Sequence, residues 1–148
     1  MTFLFTDIAE SRQFWESAPS DMAVAVRTYD AILRSAIERR GGYVFDHEGD
    51  GFGAAFSSAV DAVLAAVEAQ RELHDNDAIP FAVRMGLHVG EAVADDGSYH
   101  GKEVTLASRL TALGHGGQVL VSGTAQALVH GQVTLRPLGD HHRRGPGP

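Results

Sequence analysis

The sequence predicts an α+β fold, a split βαβ sheet with helices packed on one of its faces. Three observations lead there. Short β-prone apolar runs at residues 2–6, 43–45, 52–56 and 81–88 are separated by long stretches whose apolar residues recur at three and four. A Gly49-Asp50-Gly51 core between the second and third runs makes them a hairpin. The resulting order is β-α-β-β-α-β followed by αβαβ, the order of a ferredoxin-like sheet.

Taken in order, residues 2–6 form the first strand, which ends at Asp7, and a short helical turn follows around residues 11–15. Asp21 opens a helix with Met22, Val26, Tyr29, Leu33 and Ile37 on one face. Arg39 and Arg40 suit its C-terminal dipole, and Gly41-Gly42 stop it. After the hairpin, Ser57-Ser58 cap a helix whose apolar face carries Ala59, Val63, Ala66, Val67 and Leu73. Residues 81–88 alternate as a strand, with Phe81, Val83, Met85 and Leu87 against Ala82, Arg84, Gly86 and His88. That strand is expected to continue through residues 89–94 after a bend at Gly90, before a loop at Asp95-Asp96-Gly97-Ser98. A third helix carries Val104, Ala107, Leu110 and Thr111 and ends near Gly116-Gly117. A strand at 118–121, a helix at 122–129 and a strand at 133–138 complete the pattern. One domain over residues 1–140 and a Gly-Pro-rich tail over 141–148, divergent or truncated, is the expected organisation.

Composition excludes several functions. The 148 residues hold 12 Lys+Arg against 19 Asp+Glu, a net charge of −7, which argues against a nucleic-acid partner. It leaves nucleotides open, because a divalent cation supplies local positive charge. There is no cysteine, so disulfides and thiolate metal sites are excluded. Asp7 and Glu10 follow the first apolar residues too closely for a signal-peptide core, and no apolar run reaches the roughly 18 residues that span a bilayer. The expected location is the cytoplasm. The eight histidines form no His-x₃-His or His-Glu-x-x-His pattern. Neither a Gly-x-Ser-x-Gly elbow nor a Gly-x-x-x-x-Gly-Lys phosphate loop occurs.

The chemistry-bearing candidates are two carboxylates. Asp7 ends the first strand and Asp50 sits in the hairpin turn, and a split βαβ sheet can bring both to one edge. Converging carboxylates hold Mg²⁺, with waters and substrate phosphates completing the coordination. Each also has a plain reading: Asp-Gly is a favoured turn pair, and Asp7 suits a strand end or helix cap.

The words around these carboxylates carry a resemblance. Phe5-Thr6-Asp7-Ile8 with Ser11 and Trp15-Glu16 resembles the opening of bacterial class III adenylate/guanylate cyclase domains. Gly41-Gly42-Tyr43-Val44-Phe45 and Gly49-Asp50-Gly51-Phe52 resemble their hairpin, and residues 84–91 (Arg-Met-Gly-Leu-His-Val-Gly-Glu) their central strand. Tyr99-His100-Gly101, Val104 and Ala107-Ser108-Arg109-Leu110 are similar to the segment bearing their transition-state residues. Gly116-Gly117-Gln118-Val119-Leu120-Val121-Ser122 and Leu138-Gly139-Asp140-His141 match the closing elements. The resemblance runs in register over nearly the whole chain. A diguanylate cyclase shares the split βαβ core and a similar hairpin, but residues 84–91 and 101–110 fit the class III family much better.

The resemblance implies an α+β domain that converts ATP or GTP into a 3′,5′-cyclic nucleotide and pyrophosphate, at sites between the subunits of a homodimer. It implies two Mg²⁺ or Mn²⁺ ions per site, held by Asp7, Asp50 and the Ile8 carbonyl, with the amides after Ile8 at the terminal phosphates. Arg109 matches the arginine that steadies charge on the reacting phosphate, and Arg144 falls where a triphosphate-binding Lys is usual. Both also read as ordinary solvated charges, Arg144 in a tail. Regulatory domains would lie on another chain or be lost. The departures are specific. Asp46 replaces a base-reading Lys, Ser98 replaces its partner Asp, Thr105 stands for a transition-state Asn, and Glu10 for a Gly near the phosphates. The metal end is kept while the base-reading and transition-state ends are changed. The expectation is slow or poorly selective turnover, with a catalytically degenerate nucleotide-binding or dimerising module as the alternative.

Overall fold

The computed structural model describes residues 1–47, 50–95, 97–113, 116–117 and 119–121. Within them a five-stranded sheet has the order β2-β3-β1-β4-β7. Its strands are β1 (Thr2–Ile8), β2 (Tyr43–Asp46), β3 (Phe52–Phe56), β4 (Val83–Val89) and β7 (Val119–Val121). β1 lies at the centre, antiparallel to both β3 and β4; β2 closes a hairpin on β3, and β7 runs parallel to β4. This is the split βαβ arrangement, with β3 inserted between β1 and β2.

Because successive side chains of a strand point to opposite faces, β1 divides its residues between two layers. Leu4 and Ile8 join the main core, and Thr6 bonds Tyr29 there. Phe3 and Phe5 point the other way. The main core lies under α2 (Pro19–Arg39) and α3 (Ala59–Asp75), with Met22, Ala25, Tyr29, Leu33, Ala36 and Ile37 of α2 buried against Val63, Ala66, Ala69 and Leu73 of α3. α2 begins two residues before the expected Asp21, because Pro19 with its preset φ occupies the first turn. It stops where Gly41 turns to φ +75° and the Gly42 amide reaches back to the Ile37 carbonyl at 2.9 Å. Ser58 caps α3 by accepting from the Asp61 amide at 3.2 Å. Arg40 clamps Glu68 across the two helices, and this hydrogen bond holds the Glu68 carboxyl below its usual range.

The opposite face corrects one expectation. Helices cover both sides of the sheet: α4 (Lys102–Leu113) lies on the Phe3/Phe5 side, with Ala107 buried against Phe3 and Ala55. The crossing point is Gly86, where a Cβ would lie 2.8 Å from the Thr111 backbone nitrogen; only glycine lets α4 approach β4 this closely. A second correction concerns residues 89–94. The chain leaves the sheet after Val89, and β5 (Val93–Asp95) pairs with β6 (Ser98–His100) as a separate two-stranded ribbon, Asp95 opposite Ser98. Edge-to-face contacts of Tyr99 with Phe45 (5.3 Å) and Phe3 (5.7 Å) fasten this ribbon over β1 and β2. The Tyr43 hydroxyl adds a 2.8 Å hydrogen bond to the Gly97 carbonyl. The expected elements at 122–129 and 133–138, and the tail at 141–148, lie outside the described residues.

Candidate active site

The two carboxylates meet through the β1–β3 ladder. Its last matched pair is Thr6 opposite Phe52, so Asp7, one residue on in β1, and Asp50, two residues before Phe52, lie at the same end of that ladder. A hydrogen bond joins the two segments there. Ser11, at the start of α1 (Ser11–Ser17), donates its hydroxyl to Asp50 Oδ2. Both carboxylates also act on Tyr29 beneath them. Burial pushes the Tyr29 phenol well above its ordinary range, the hydrogen bond with Thr6 opposes this, and the charges of Asp50, Asp30 and Asp7 add to the rise.

Asp7 has a partner that the sequence reading did not single out. Arg84 faces it directly across the β1–β4 ladder and grips it with two bonds, Nε to Oδ1 at 2.7 Å and Nη2 to Oδ2 at 2.9 Å. A signal for Arg84 was available in its parity: it shares one face of β4 with Gly86 and His88, in the strand beside Asp7. Ile8 has a buried side chain and ends β1 beside Asp7; its strand pairing is with Val83. His47, just after β2, stacks on Phe52 at 4.1 Å and meets Asp30 of α2 at 3.2 Å.

Asp46 reaches the same face by an irregularity. β2 slips register between Val44 and Asp46, so Phe45 and Asp46 both turn toward Phe5, and Asp46 is exposed there. Ser98 is half-buried in the β5–β6 ribbon beside the Tyr43 end of β2, whereas Asp46 lies at the other end of that strand. Thr105 and Arg109 are four residues apart on α4 and both exposed, away from the Ala107/Thr111 stripe that packs on the sheet. The Thr105 hydroxyl donates to the Gly101 carbonyl at 3.2 Å within its own helix turn. Glu10, the residue between β1 and α1, has a left-handed backbone (φ 57°, ψ 32°) that a glycine would adopt at less cost. Arg144 lies outside the described residues.

Within the described residues no group of three or more His, Cys, Asp or Glu side chains gathers at metal-binding distance. Two carboxylates at one end of the β1–β3 ladder are an all-oxygen donor set of the sparse kind that Mg²⁺ or Mn²⁺ accepts, since these ions keep waters and take phosphate oxygens. The donor set therefore fits the implied ions. A cavity of about 540 Å³ lies elsewhere, between α3 and the β4–β7 edge, lined by Gln70, His74, Ile79, Phe81 and Val119. No helix is long and apolar enough to cross a membrane among the described residues.

A split βαβ sheet with two carboxylates at one end of its β1–β3 pair and an outward-facing arginine on the covering helix has the layout that the sequence resemblance implies for a nucleotidyl cyclase domain. The comparisons carry this to a family. The chain belongs to the adenylate and guanylate cyclase catalytic domain family, whose sequence profile matches residues 1–148. It is 38% identical over 151 residues to an uncharacterized protein of Mycobacterium tuberculosis, covering 98% of this chain and 52% of the relative. It therefore spans about half the length of that relative. An adenylate cyclase of Podospora anserina is 31% identical over 82% of this chain, which corresponds to 7% of that protein. Among solved structures, an adenylate/guanylate cyclase/hydrolase from Silicibacter pomeroyi superposes with a TM-score of 0.83 at 26% identity, covering 93% of this chain and 85% of that one.

Proposed function

We propose that the domain is a nucleotidyl cyclase that converts ATP or GTP into the 3′,5′-cyclic nucleotide and pyrophosphate, slowly or with little base selectivity. The observation that carries this reading is the placement of Asp7 and Asp50 at the same end of the β1–β3 ladder, with Ser11, in the segment after β1, bonded to Asp50. In this reading Asp7, Asp50 and the Ile8 carbonyl hold two Mg²⁺ or Mn²⁺ ions. When bound, such ions lower the pKa of the attacking 3′-hydroxyl and neutralise charge on the leaving pyrophosphate.

The remaining work falls to the chain itself. Ser11 keeps Asp50 oriented toward the β1 edge by its hydroxyl hydrogen bond. Arg109, exposed on α4, provides a fixed positive charge, which stabilises the reacting phosphate electrostatically when presented by a second copy of the chain. A homodimer with Arg109 and Thr105 of one copy over the carboxylates of the other follows from that division. Asp46 and Ser98 stand at the base-reading positions, and an Asp carboxylate accepts from the guanine N1–H and N2–H₂ edge, whereas the Lys it replaces can only donate. Arg144 supplies positive charge for the triphosphate. The setting is cyclic-nucleotide signalling.

One observation favours the second reading, a nucleotide-binding or dimerising module without turnover: the Thr105 hydroxyl is already committed to Gly101. Losing one donor aimed at a developing charge costs about 10²–10³ in rate. Incubation with ATP or GTP and Mn²⁺, analysed for cyclic nucleotide, separates the two. Wild type is expected to form product, and Asp50→Ala at least about 100-fold less. Product from wild type no greater than from Asp50→Ala sinks the cyclase reading.

A further inference from the structure

The two carboxylates are held by different kinds of partner, and the difference has a consequence for loading the site. Asp50 accepts from a neutral hydroxyl, which leaves its charge intact and stays compatible with a cation on its remaining lone pairs. Asp7 is held by a guanidinium that occupies both of its oxygens in a fork, at 2.7 and 2.9 Å. Arg84 thus sits where a dication would share the same carboxylate. A guanidinium and a divalent ion on one carboxylate repel across a few ångströms, and the repulsion outlasts the hydrogen bonds. The pair is about a third exposed, Arg84 30% and Asp7 35%, so water weakens both its attraction and the repulsion without removing either. Arg84 is fixed in place by its ladder position on β4, with Gly86 and α4 beyond it, so it cannot leave by a backbone shift of β4 alone.

The geometry points to Arg84 as a positioning residue that stands in for the cation at Asp7 and sets the threshold for metal loading. The inference rests on the reading of Asp7 as a metal ligand. Arg84 keeps the carboxylate neutralised and oriented when no metal is present, and metal binding must take at least one Asp7 oxygen from it. The threshold lies at Asp7 and not at Asp50, because among the described residues Asp7 pairs with a cation and Asp50 with a neutral hydroxyl.

The test is Mn²⁺ affinity without nucleotide, read by electron paramagnetic resonance of free Mn²⁺ on wild type, Arg84→Gln, Arg84→Lys and Ser11→Ala, with folding checked by circular dichroism. Arg84→Gln is expected to bind Mn²⁺ about tenfold more tightly. Arg84→Lys, which keeps the charge but loses the fork, is expected to tighten it about two- to threefold. Ser11→Ala is expected to change it by less than about twofold. Affinity unchanged or weakened in Arg84→Gln overturns the inference, as does absence of Mn²⁺ binding in all four proteins. Should Arg84→Gln fail to fold, Arg84→Lys decides alone, and no tightening there overturns it equally. Turnover does not enter this measurement: a protein that makes no cyclic nucleotide yet gains Mn²⁺ affinity on losing Arg84 refutes the cyclase reading and retains this one.

Discussion

The two faces of the sheet are built from alternate residues of the same strands, yet they differ in almost every physical respect. Under α2 and α3 lie Leu4, Ile8, Leu33, Ile37, Phe56, Met85 and Leu87, all nearly excluded from water, and the polar pair Thr6–Tyr29 bonded at 2.7 Å. Among the described residues, the buried apolar set under α4 is Phe3, Ala55 and Ala107, with half-buried aromatics around them. Charged groups share that side: Asp7 with Arg84, and His88 with Glu103. The difference teaches a division of labour. Among the described residues, the first face buries the larger apolar layer, and the second combines a thinner one with paired charges.

The sharpest way to break that comparison is to remove equal apolar volume from each face. Val63→Ala, in the buried layer, is expected to cost about 2–3 kcal/mol, whereas Val104→Ala, half-buried on α4, is expected to cost about 1 kcal/mol. Equal losses in urea denaturation would mean that the two layers contribute alike. Next in size is Tyr29→Phe, which removes the hydroxyl bonded to Thr6 and is expected to cost about 1 kcal/mol at neutral pH. It also sharpens the comparison through pH. The folded Tyr29 pKa is raised, so its stabilising contribution is complete below the ordinary tyrosine range and is lost as pH rises above about 10, where the unfolded chain releases the proton first. Wild type should therefore lose up to about 1.4 kcal/mol of stability per pH unit in that alkaline window, and the loss assigned to Tyr29 should vanish in Tyr29→Phe. An identical alkaline decline in both proteins would refute the assignment. The smallest effect belongs to the site edge. Glu10→Gly is expected to raise stability by about 0.5–1 kcal/mol by removing a left-handed non-glycine residue, a gain readable as a higher urea midpoint. A lower midpoint would show that Glu10 makes a contact that outweighs its backbone cost.

Much of the layered core was legible because helical periodicity and strand alternation report burial directly. The spacing of Met22, Tyr29, Leu33 and Ile37 marked the inner face of α2, and the parity of Val83, Met85 and Leu87 marked that of β4. Which side of the sheet α4 covers was not legible. Val104, Ala107 and Thr111 reveal one apolar stripe, and a stripe does not say which face it meets; Gly86 decides that, through a close approach visible only in three dimensions. The separate β5–β6 ribbon escaped for a similar reason, since an apolar run past Gly90 reads the same whether it extends a strand or begins another. At the site, Asp7 and Asp50 were found from their neighbours in sequence. Their partners were not, because the Arg84–Asp7 contact spans 77 positions and Ser11–Asp50 spans 39, distances over which only strand register carries information.

The slipped register of β2 has a consequence for how such a domain can diversify. Position 46 reaches its face through one surplus residue, while Asp50 is anchored from the other side, by β3 and by Ser11. A length change in β2 can be absorbed by moving the slip along the strand, without disturbing β1 or β3. Position 46 can thus change its residue, or its reach by an insertion, while Asp7 and Asp50 keep their spacing. The architecture separates a stretch that can drift from one that cannot.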